Sequence, residues 1–132
     1  MKAIGSTRLA AIVLVIGTWG SASAQAPGFK RTELGRHDLA VANHETVIAR
    51  GEFAVGGAPP RHTHPGDEVG YILEGELTIE MDGKPPQTVK AGDSFFIPAG
   101  TIHTAKNTGK VPAVAISTYI VEKGKPLATP VK

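Results

Sequence analysis

Three histidines and one glutamate near the middle of the chain carry side chains that could bind a transition metal. His62 and His64 stand one residue apart, Glu68 lies four residues further on, and His103 follows the turn residues Pro98–Gly100. Residues two apart on a strand point to the same face, so both members of the histidine pair can project into a barrel. Imidazole nitrogens with one carboxylate form a borderline-hard ligand set, which suits Mn, Fe, Co, Ni, Cu or Zn better than Ca or Mg.

A histidine pair is also common in polar surface turns. A Pro-Gly turn separates His64 from Glu68, and the alternative is a polar rim in which Glu68 starts a solvated strand. From His62 and His64 alone, the metal site and the polar rim carry comparable weight. Other parts of the chain must distinguish the two.

The segments that must position these side chains have the pattern of short β-strands. No long stretch keeps a helical period, whereas Leu77–Met81 places Leu, Ile and Met on one side and Thr and Glu on the other. Turn residues recur between the apolar segments, and the Asp-Gly pair within Met81–Lys84 tolerates the positive φ of a hairpin turn. Regular turns between short strands predict an all-β sandwich or barrel. The predicted strand segments are TVIARGEFAV, VGYIL, LTIEM, SFFIP and VAISTYIV.

Residues 1–24 have the features of a secretory signal peptide. A short basic region precedes the apolar run Leu9–Ile16, and Ala22–Ala24 forms an A-x-A cleavage site, which predicts a mature chain that starts at Gln25. The apolar run is far shorter than the roughly 20 residues that a membrane-spanning helix needs. An uncleaved amphipathic anchor is the alternative. We therefore expect an exported protein, periplasmic or secreted, with no stable membrane anchor after cleavage.

The charge of the chain argues against one class of partner. The 132 residues include 14 basic and 12 acidic side chains, and two of the basic ones, Lys2 and Arg8, lie in the predicted signal peptide. The 12 basic residues that remain balance the 12 acidic ones. A neutral chain without a clustered basic patch argues against nucleic acid as a partner. No cysteine is present, so neither a disulfide nor a lipidated cysteine is expected.

The mature chain is expected to form one domain with two arms. Its length indicates a single domain, and we assign residues 25–42 to an N-terminal arm, residues 43–122 to the domain and residues 123–132 to a C-terminal tail. Extended arms of this kind either fray or pack along an edge strand, which needs cover.

The spacing around the candidate ligands matches a known pair of motifs. The first reads Gly56, five residues, His62-Thr63-His64, three residues, Glu68, six residues and Gly75. The second reads Gly92, five residues, Pro98-Ala99-Gly100, two residues, His103, three residues and Asn107. Both strings resemble the two conserved motifs of the cupin superfamily without a departure. The chain is similar to small single-domain cupins of the quercetin-dioxygenase-like kind.

That resemblance implies a fold and a metal. The fold would be a double-sheet jelly roll of six to eight strands around one divalent transition metal, which could be Fe, Mn, Cu, Ni or Zn. The ligands of the family, carried over residue by residue, are His62, His64, Glu68 and His103.

The resemblance leaves two classes of function open, because one fold hosts many activities. The first is a metal-dependent enzyme acting on a small oxygen-rich molecule, with dioxygenase-like activity favoured over decarboxylase or isomerase activity. The second is a non-catalytic module that binds a sugar, a uronate, an acid or the metal alone. We further expect a homodimer, because apolar positions occur on both sheets of a chain with no net charge.

Other polar residues are expected to have simpler roles. His37 and His44 lie outside both motifs and are expected at the surface, while Arg61 should face away from the metal. Asp93 is expected in a turn, and Asn107 is expected to satisfy backbone groups near a strand end.

Three aromatic residues could line a cavity beside the metal: Tyr71, Phe96 and Tyr119. The alternative is the core or a subunit interface, where aromatic residues of small barrels usually lie. No residue is assigned as a general acid or base, so the catalytic residues stay open.

Overall fold

The computed structural model describes residues 26–132, and these residues form ten β-strands and no helix. The strands are β1 (Phe29–Asp38), β2 (His44–Phe53), β3 (His62–Thr63), β4 (Gly66–Glu74), β5 (Glu76–Met81), β6 (Gln87–Lys90), β7 (Ser94–Ile97), β8 (His103–Lys106), β9 (Ala113–Glu122) and β10 (Thr129–Pro130). The predicted signal peptide, residues 1–24, lies outside the described residues. In the described part of the chain, no helix is long and apolar enough to cross a membrane.

The strands pair in a nested order, and the fold is the predicted double-sheet jelly roll. β5 pairs with β6, β4 with β7, β3 with β8 and β2 with β9, all antiparallel. The first sheet has the order β1-β2-β9-β4-β7, and the second sheet has the order β10-β3-β8-β5-β6. Ten strands exceed the expected six to eight because the segments assigned to the arms add β1 and β10 at the sheet edges.

Apolar side chains that alternate along the strands meet between the two sheets. In β5, Leu77, Ile79 and Met81 are buried, while Thr78 and Glu80 are more exposed, which confirms the predicted alternation. Other members of this core include Phe53, Ile72, Phe95 and Ile97. Removal of this apolar surface from water is the main force that holds the two sheets together.

Glycine is required at the turns that the sequence indicated. Gly56, Gly75, Gly92 and Gly100 all have a positive φ, between 70° and 95°. At Gly75, where the chain passes from β4 to β5, an added Cβ would lie 2.7 Å from the carbonyl oxygen of Pro112. Neither the backbone angle nor the available space therefore permits a side chain at this crossing.

The predicted turn at Met81–Lys84 forms, but in a different way from a two-residue hairpin. The Lys84 amide donates to the Met81 carbonyl at 3.2 Å, and Gly83 takes the positive φ of 78°. Asp82 keeps a negative φ. This is therefore not the mirror-image turn of a two-residue hairpin, in which both central residues have positive φ. The turn begins a longer connection that leads to β6.

Both arms pack along sheet edges. β1 pairs with β2 along its whole length, and the ring centroids of Phe29 and Phe53 lie 4.9 Å apart. In the tail, β10 pairs with β3, and the Val131 amide donates to the Arg61 carbonyl at 2.9 Å. Of the two alternatives for the arms, fraying and packing, the structure shows packing.

Candidate metal centre

The four predicted ligands come from both sheets. His62 begins β3, His103 begins β8, and the two residues are directly paired across the second sheet. His64 follows β3, and Glu68 is the third residue of β4 in the first sheet. An added Cβ at Gly66 would lie 1.9 Å from a backbone carbonyl oxygen of β9. Glycine therefore lets β4 start close to β9, directly after the histidine pair.

The ring nitrogens and the carboxylate face one another at distances that suit a shared metal ion. One nitrogen from each of His62, His64 and His103 lies within 4.8 Å of the others. The Nε2 atoms of His62 and His64 are 3.2 Å apart, and Glu68 Oε2 lies 3.1 Å from His64 Nε2 and 3.4 Å from His103 Nε2. Two atoms bound to one ion at about 2.1 Å lie roughly 3.0 Å apart at a right angle and roughly 3.4 Å apart at the tetrahedral angle. The four side chains, all more than nine-tenths buried, therefore have the spacing of one ligand set.

Backbone carbonyl groups hold the far side of each imidazole. Every Nδ1 atom donates to one carbonyl oxygen: His62 to Pro60 at 2.6 Å, His103 to Thr101 at 2.9 Å and His64 to Leu127 at 2.5 Å. A carbonyl oxygen can only accept, so in the neutral ring the proton sits on Nδ1 and the Nε2 lone pair points inward. Three lone pairs and a carboxylate then converge without a donor among them. That arrangement fits a bound cation, which would offset the repulsion of the buried acceptors.

Ser117 orients the carboxylate of Glu68. Its hydroxyl donates to Oε1 at 2.7 Å, which leaves Oε2 facing His64 and His103. Burial is the largest influence on this carboxyl group and favours its neutral form. Hydrogen bonds from His103 and His64, made when one of these rings also carries a proton on Nε2, and the Ser117 hydroxyl outweigh burial and lower the pKa of Glu68 below its usual range. The carboxylate is therefore charged at neutral pH and can serve as an anionic ligand.

Burial keeps His62 in its neutral form. It is the largest cause of the shift that lowers the pKa of His62 from 6.5 to about 4, and it outweighs the Pro60 carbonyl, which favours the protonated ring. The neighbouring His103 and His64 add to the lowering. The ring is therefore neutral at pH 7, as a metal-binding imidazole must be.

A small cavity adjoins the ligand cluster. Its volume is about 40 Å³. The polar side chains that line it are Arg31, His62, Glu68, His103, Ser117 and Tyr119. The rest of the lining is mostly apolar and includes the rings of Phe29, Phe53 and Phe95. The cavity can hold a small molecule beside the candidate ligands, with one permanently charged cation, Arg31, in its wall.

Tyr119 connects the cavity with a candidate ligand. Its ring centroid lies 4.7 Å from that of His64. Burial, followed by the negative charge of Glu68, raises the pKa of Tyr119 above its usual value, although Arg31 and Ser117 act in the opposite direction. The phenol is therefore a neutral hydroxyl that can donate a hydrogen bond but releases its proton poorly.

The other aromatic and histidine residues considered from the sequence lie away from this cavity. Tyr71 and Phe96 are 48% and 52% exposed on the outer face of the first sheet. His37 is exposed and His44 is half-buried, and neither lines the cavity, as expected. Among the three aromatic candidates, Tyr119 alone lines it.

The three remaining polar residues have the simpler roles that the sequence indicated. Arg61 forms an ion pair with Asp82 and points away from the ligand cluster. Asp93 closes a turn, because its carboxylate accepts from the Lys90 amide at 2.9 Å. Asn107 is buried, and its side-chain amide donates to two backbone carbonyls at 3.1 and 2.8 Å.

Three features of the site belong to no motif: the Ser117 hydroxyl, the Arg31 guanidinium and the Leu127 carbonyl. Ser117 shares a buried face with Ala115 and Tyr119, so a polar residue at that position of the alternating segment was a detectable signal. The other two depend on where the arms pack, and no local pattern in the sequence reports that.

Comparison with known proteins shows the family. Residues 49–119, more than half of the chain, match the family described as "Cupin domain". The chain therefore belongs to the cupin family, as its two motifs predicted. A germin-like protein of Arabidopsis thaliana, subfamily 2 member 2, is 42% identical over 77 residues, which cover 54% of this chain and 35% of that protein. The chain spans between about a third and a half of the length of the curated relatives it matches.

Solved structures agree with this assignment. An oxalate oxidase in complex with the substrate analogue glycolate has a TM-score of 0.64 and 29% identity, over 79% of this chain and 55% of that chain. A cupin-like protein from Thermotoga maritima has a TM-score of 0.68 over 87% of this chain and 84% of that chain. At 23% identity, this second structure supports the fold alone.

Proposed function

We propose that this cupin binds one divalent transition metal through His62, His64, Glu68 and His103 and uses it to oxidise a small carboxylate with O₂. The observation that carries the proposal is the convergence of three imidazole nitrogens and one charged carboxylate beside a cavity lined by Arg31. Four protein ligands leave about two positions of a six-coordinate ion open, and a redox-active ion held there supplies Lewis acidity and electron exchange with O₂.

The cavity favours a small, negatively charged substrate. Pockets for drug-sized ligands measure roughly 300–1,000 Å³, whereas this cavity measures about 40 Å³. A flavonol is therefore too large, and a two- or three-carbon acid is the better match. The planar guanidinium of Arg31 suits a carboxylate, to which it can offer two parallel N–H groups. Similarity to an oxalate oxidase that binds glycolate supports the same class of substrate.

The cavity lining favours oxidation over decarboxylation or isomerisation. The last two reactions add a proton to carbon or remove one, which requires a side-chain acid or base near the substrate. Among the described residues, Glu68 is the one carboxylate that lines the cavity, and its lowered pKa keeps it charged. The raised pKa of Tyr119 makes its proton poorly available.

Oxidation needs no such proton transfer to carbon. A two-carbon dicarboxylate that loses its C–C bond gives two molecules of CO₂, and its two electrons pass to O₂. With two protons from solvent, the O₂ becomes one H₂O₂. The side chains of this site would bind and orient the substrate, and the apolar part of the wall would limit the access of water.

O₂ consumption by protein reconstituted separately with Mn, Fe, Cu, Ni and Zn tests the proposal. We expect uptake with oxalate or a short keto acid in the presence of a redox-active metal. Little uptake is expected with a flavonol or with glycolate, whose oxidation would require removal of hydrogen from carbon. The His103→Ala variant should lose the activity, and His44→Ala, at a histidine outside the cluster, should keep it. Equal uptake by the wild type and His103→Ala with every metal would contradict the proposal.

A non-catalytic module that binds a small acid through the metal is the second candidate. It is favoured by the cavity lining, because the side chains described there include no general acid or base beyond the candidate ligands. Calorimetric binding of oxalate to the metal-loaded protein, with neither O₂ uptake nor product for any metal, would establish this candidate.

We also propose that residues 1–24 direct export and are removed before Gln25. The support is the short basic region, the apolar run Leu9–Ile16 and the A-x-A sequence that follows. Intact-mass measurement of the protein recovered outside the cytoplasm decides the matter. A mass that retains residues 1–24 would overturn it.

We propose further that a second copy of the chain covers the outer face of the first sheet. Val69, Tyr71, Leu73 and Phe96 are between 43% and 52% exposed there, and Val69 is the direct neighbour of Phe96 across β4 and β7. A contiguous exposed apolar surface is typical of an interface, and a mature chain of balanced charge is not repelled by its own copy. Sedimentation should show a dimer that Phe96→Glu dissociates. A wild type that stays monomeric at high concentration would contradict this arrangement.

A further inference from the structure

The C-terminal segment, residues 123–132, reaches back to a candidate metal ligand. The carbonyl oxygen of Leu127 accepts from Nδ1 of His64 at 2.5 Å, across 63 positions of sequence. The corresponding carbonyls at His62 and His103 belong to residues only two positions earlier in the chain. Of the three imidazoles, that of His64 therefore depends on a distant segment for its orientation.

The packing of the segment explains why this carbonyl stays in place. The side chain of Leu127 packs against a small buried cluster: Val47, Ala49, Tyr119 and Val121. Further along, β10 pairs with β3, the strand that His62 begins, and the Val131 amide donates to the Arg61 carbonyl at 2.9 Å. The segment is thus fixed at Leu127 itself and again three to four residues further along the chain.

We propose that the C-terminal segment is a positioning element of the metal centre, so that its docking and metal binding stabilise each other. An acceptor at Nδ1 fixes the tautomer and the ring orientation of His64, which directs the Nε2 lone pair to the ion and increases its basicity. A coupling free energy between two sites is reciprocal. Loss of the segment therefore weakens metal binding, and metal binding shifts the segment towards its docked state. The inference rests on the proposed metal centre.

Two shortened chains separate the Leu127 carbonyl from the rest of the segment. A chain that ends at Lys125 lacks the carbonyl, whereas a chain that ends at Ala128 keeps it and lacks β10. We expect the dissociation constant for Zn²⁺, measured by competition with a chelator, to rise about 10- to 100-fold in the first chain and less in the second. A constant changed by no more than about twofold in a first chain that keeps its β-sheet circular dichroism spectrum would overturn the inference.

The imidazole N–H protons give a readout that general loosening of the barrel does not mimic. In Zn²⁺-loaded protein labelled with ¹⁵N-histidine, we expect a protected Nδ1–H proton for each of His62, His64 and His103. The chain that ends at Lys125 should lose the His64 signal and keep the other two, because their acceptors are local. Loss of all three signals, or of none, would overturn the inference.

A third measurement uses the chain without any truncation. Hydrogen exchange at the Val131 amide, which bonds to the Arg61 carbonyl, should be slower with Zn²⁺ than without it. If the chain binds Zn²⁺ but the Val131 amide exchanges equally fast with and without it, the coupling is overturned and the proposed metal centre is not. A full-length chain that binds no Zn²⁺ would overturn the metal centre and the coupling together, so the two failures are distinguishable.

Discussion

The inward face of β4 contributes side chains to two different regions of the protein interior. Glu68 joins the candidate metal cluster, whereas Ile72, four residues further along, is completely buried in the apolar core. Gly70 lies between them, and the ring of Phe95 occupies the space that a side chain at that position would need. Both residues pair with β9 in one regular ladder, Glu68 with Tyr119 and Ile72 with Ala115. The difference lies in what stabilises each interior.

Only one of the two regions depends on a cation for its stability. Burial of apolar side chains is favourable without any partner, so the core around Ile72 can hold the two sheets together alone. Buried acceptors that face one another cost free energy unless a positive charge lies among them. The fold and the metal centre therefore share strands but are stabilised independently of each other.

The largest effect is expected in the apolar core. Ile72→Ala should lower the free energy of unfolding by about 2–5 kcal/mol, because it removes buried surface and leaves a cavity. Since Ile72 belongs to the apolar core and is not a candidate metal ligand, the decrease should be the same with and without bound metal. Urea unfolding under both conditions measures it, and a loss that metal fully restores would show that the two regions are not separable.

Removal of the metal should have the next largest effect. At a metal concentration 100 times the dissociation constant, binding adds about 2.7 kcal/mol, which corresponds to about 10 °C in melting temperature for a domain of this size. His62→Ala, His64→Ala and His103→Ala should abolish the increment, and Glu68→Gln should reduce it. His44→Ala is the control and should keep it.

Scanning calorimetry of the chelated and the reloaded protein makes this measurement. A melting curve that no candidate metal changes in the wild type would argue strongly against the metal centre and leave the apolar core as the sole source of stability.

The metal-free protein should lose stability in acid through the metal cluster. The folded pKa of His62, about 4, lies below its ordinary value of 6.5, so the unfolded chain binds the additional proton between these two values. The stabilisation is complete above pH 6.5 and is lost as the pH falls to about 4. Glu68, whose pKa is also lowered, loses its contribution as the pH falls below its ordinary value of 4.5.

Urea midpoints of the metal-free protein between pH 4 and pH 8 measure this loss. The His62→Gln variant should flatten the curve above pH 4, because glutamine does not titrate. A wild-type midpoint that stays constant or rises on acidification would contradict the burial of a neutral His62.

Substitution of the cavity cation should affect the substrate and leave both interiors intact. Arg31→Gln should raise the KM for a short acid about 10-fold or more, because a hydrogen bond to a charged group contributes about 1.5–3 kcal/mol. Arg50→Gln is a matched control, since Arg50 is near Glu52 and does not line the cavity. Steady-state kinetics compare the two variants. An equal change of KM in both would show that Arg31 has no specific role in substrate binding.

The smallest effect is expected from the hydroxyl that orients the carboxylate ligand. Ser117→Ala should weaken metal binding about 10-fold, at the lower end of the range for residues that support a ligand. Thr118→Ala changes the neighbouring hydroxyl on the opposite face of β9 and should leave the affinity unchanged. Chelator competition measures both, and a larger effect at Thr118 would contradict the role of Ser117.

The structural features that depend on local sequence could be predicted, and those that depend on the packing of the arms could not. Period-two alternation at Leu77–Met81 and the recurrent turns indicate the all-β class, and the motif spacing indicates the jelly roll and the ligand candidates. Arg31 and Leu127 reach the site from the two arms, and their positions follow from pairing across a sheet edge and from packing on the core. Ser117 is intermediate, because its buried face was predictable and its partner, Glu68, was not.

The proposed metal centre places one metal ion among three imidazoles and a carboxylate. Crystallography of the manganese-reconstituted protein, with anomalous differences recorded at the manganese absorption edge, tests it most directly. We expect a single strong peak bounded by the Nε2 atoms of His62, His64 and His103 and by the carboxylate of Glu68, and no such peak in crystals of His103→Ala. A fully occupied manganese site elsewhere in the protein, with these four side chains in their present positions, would contradict the proposed metal centre.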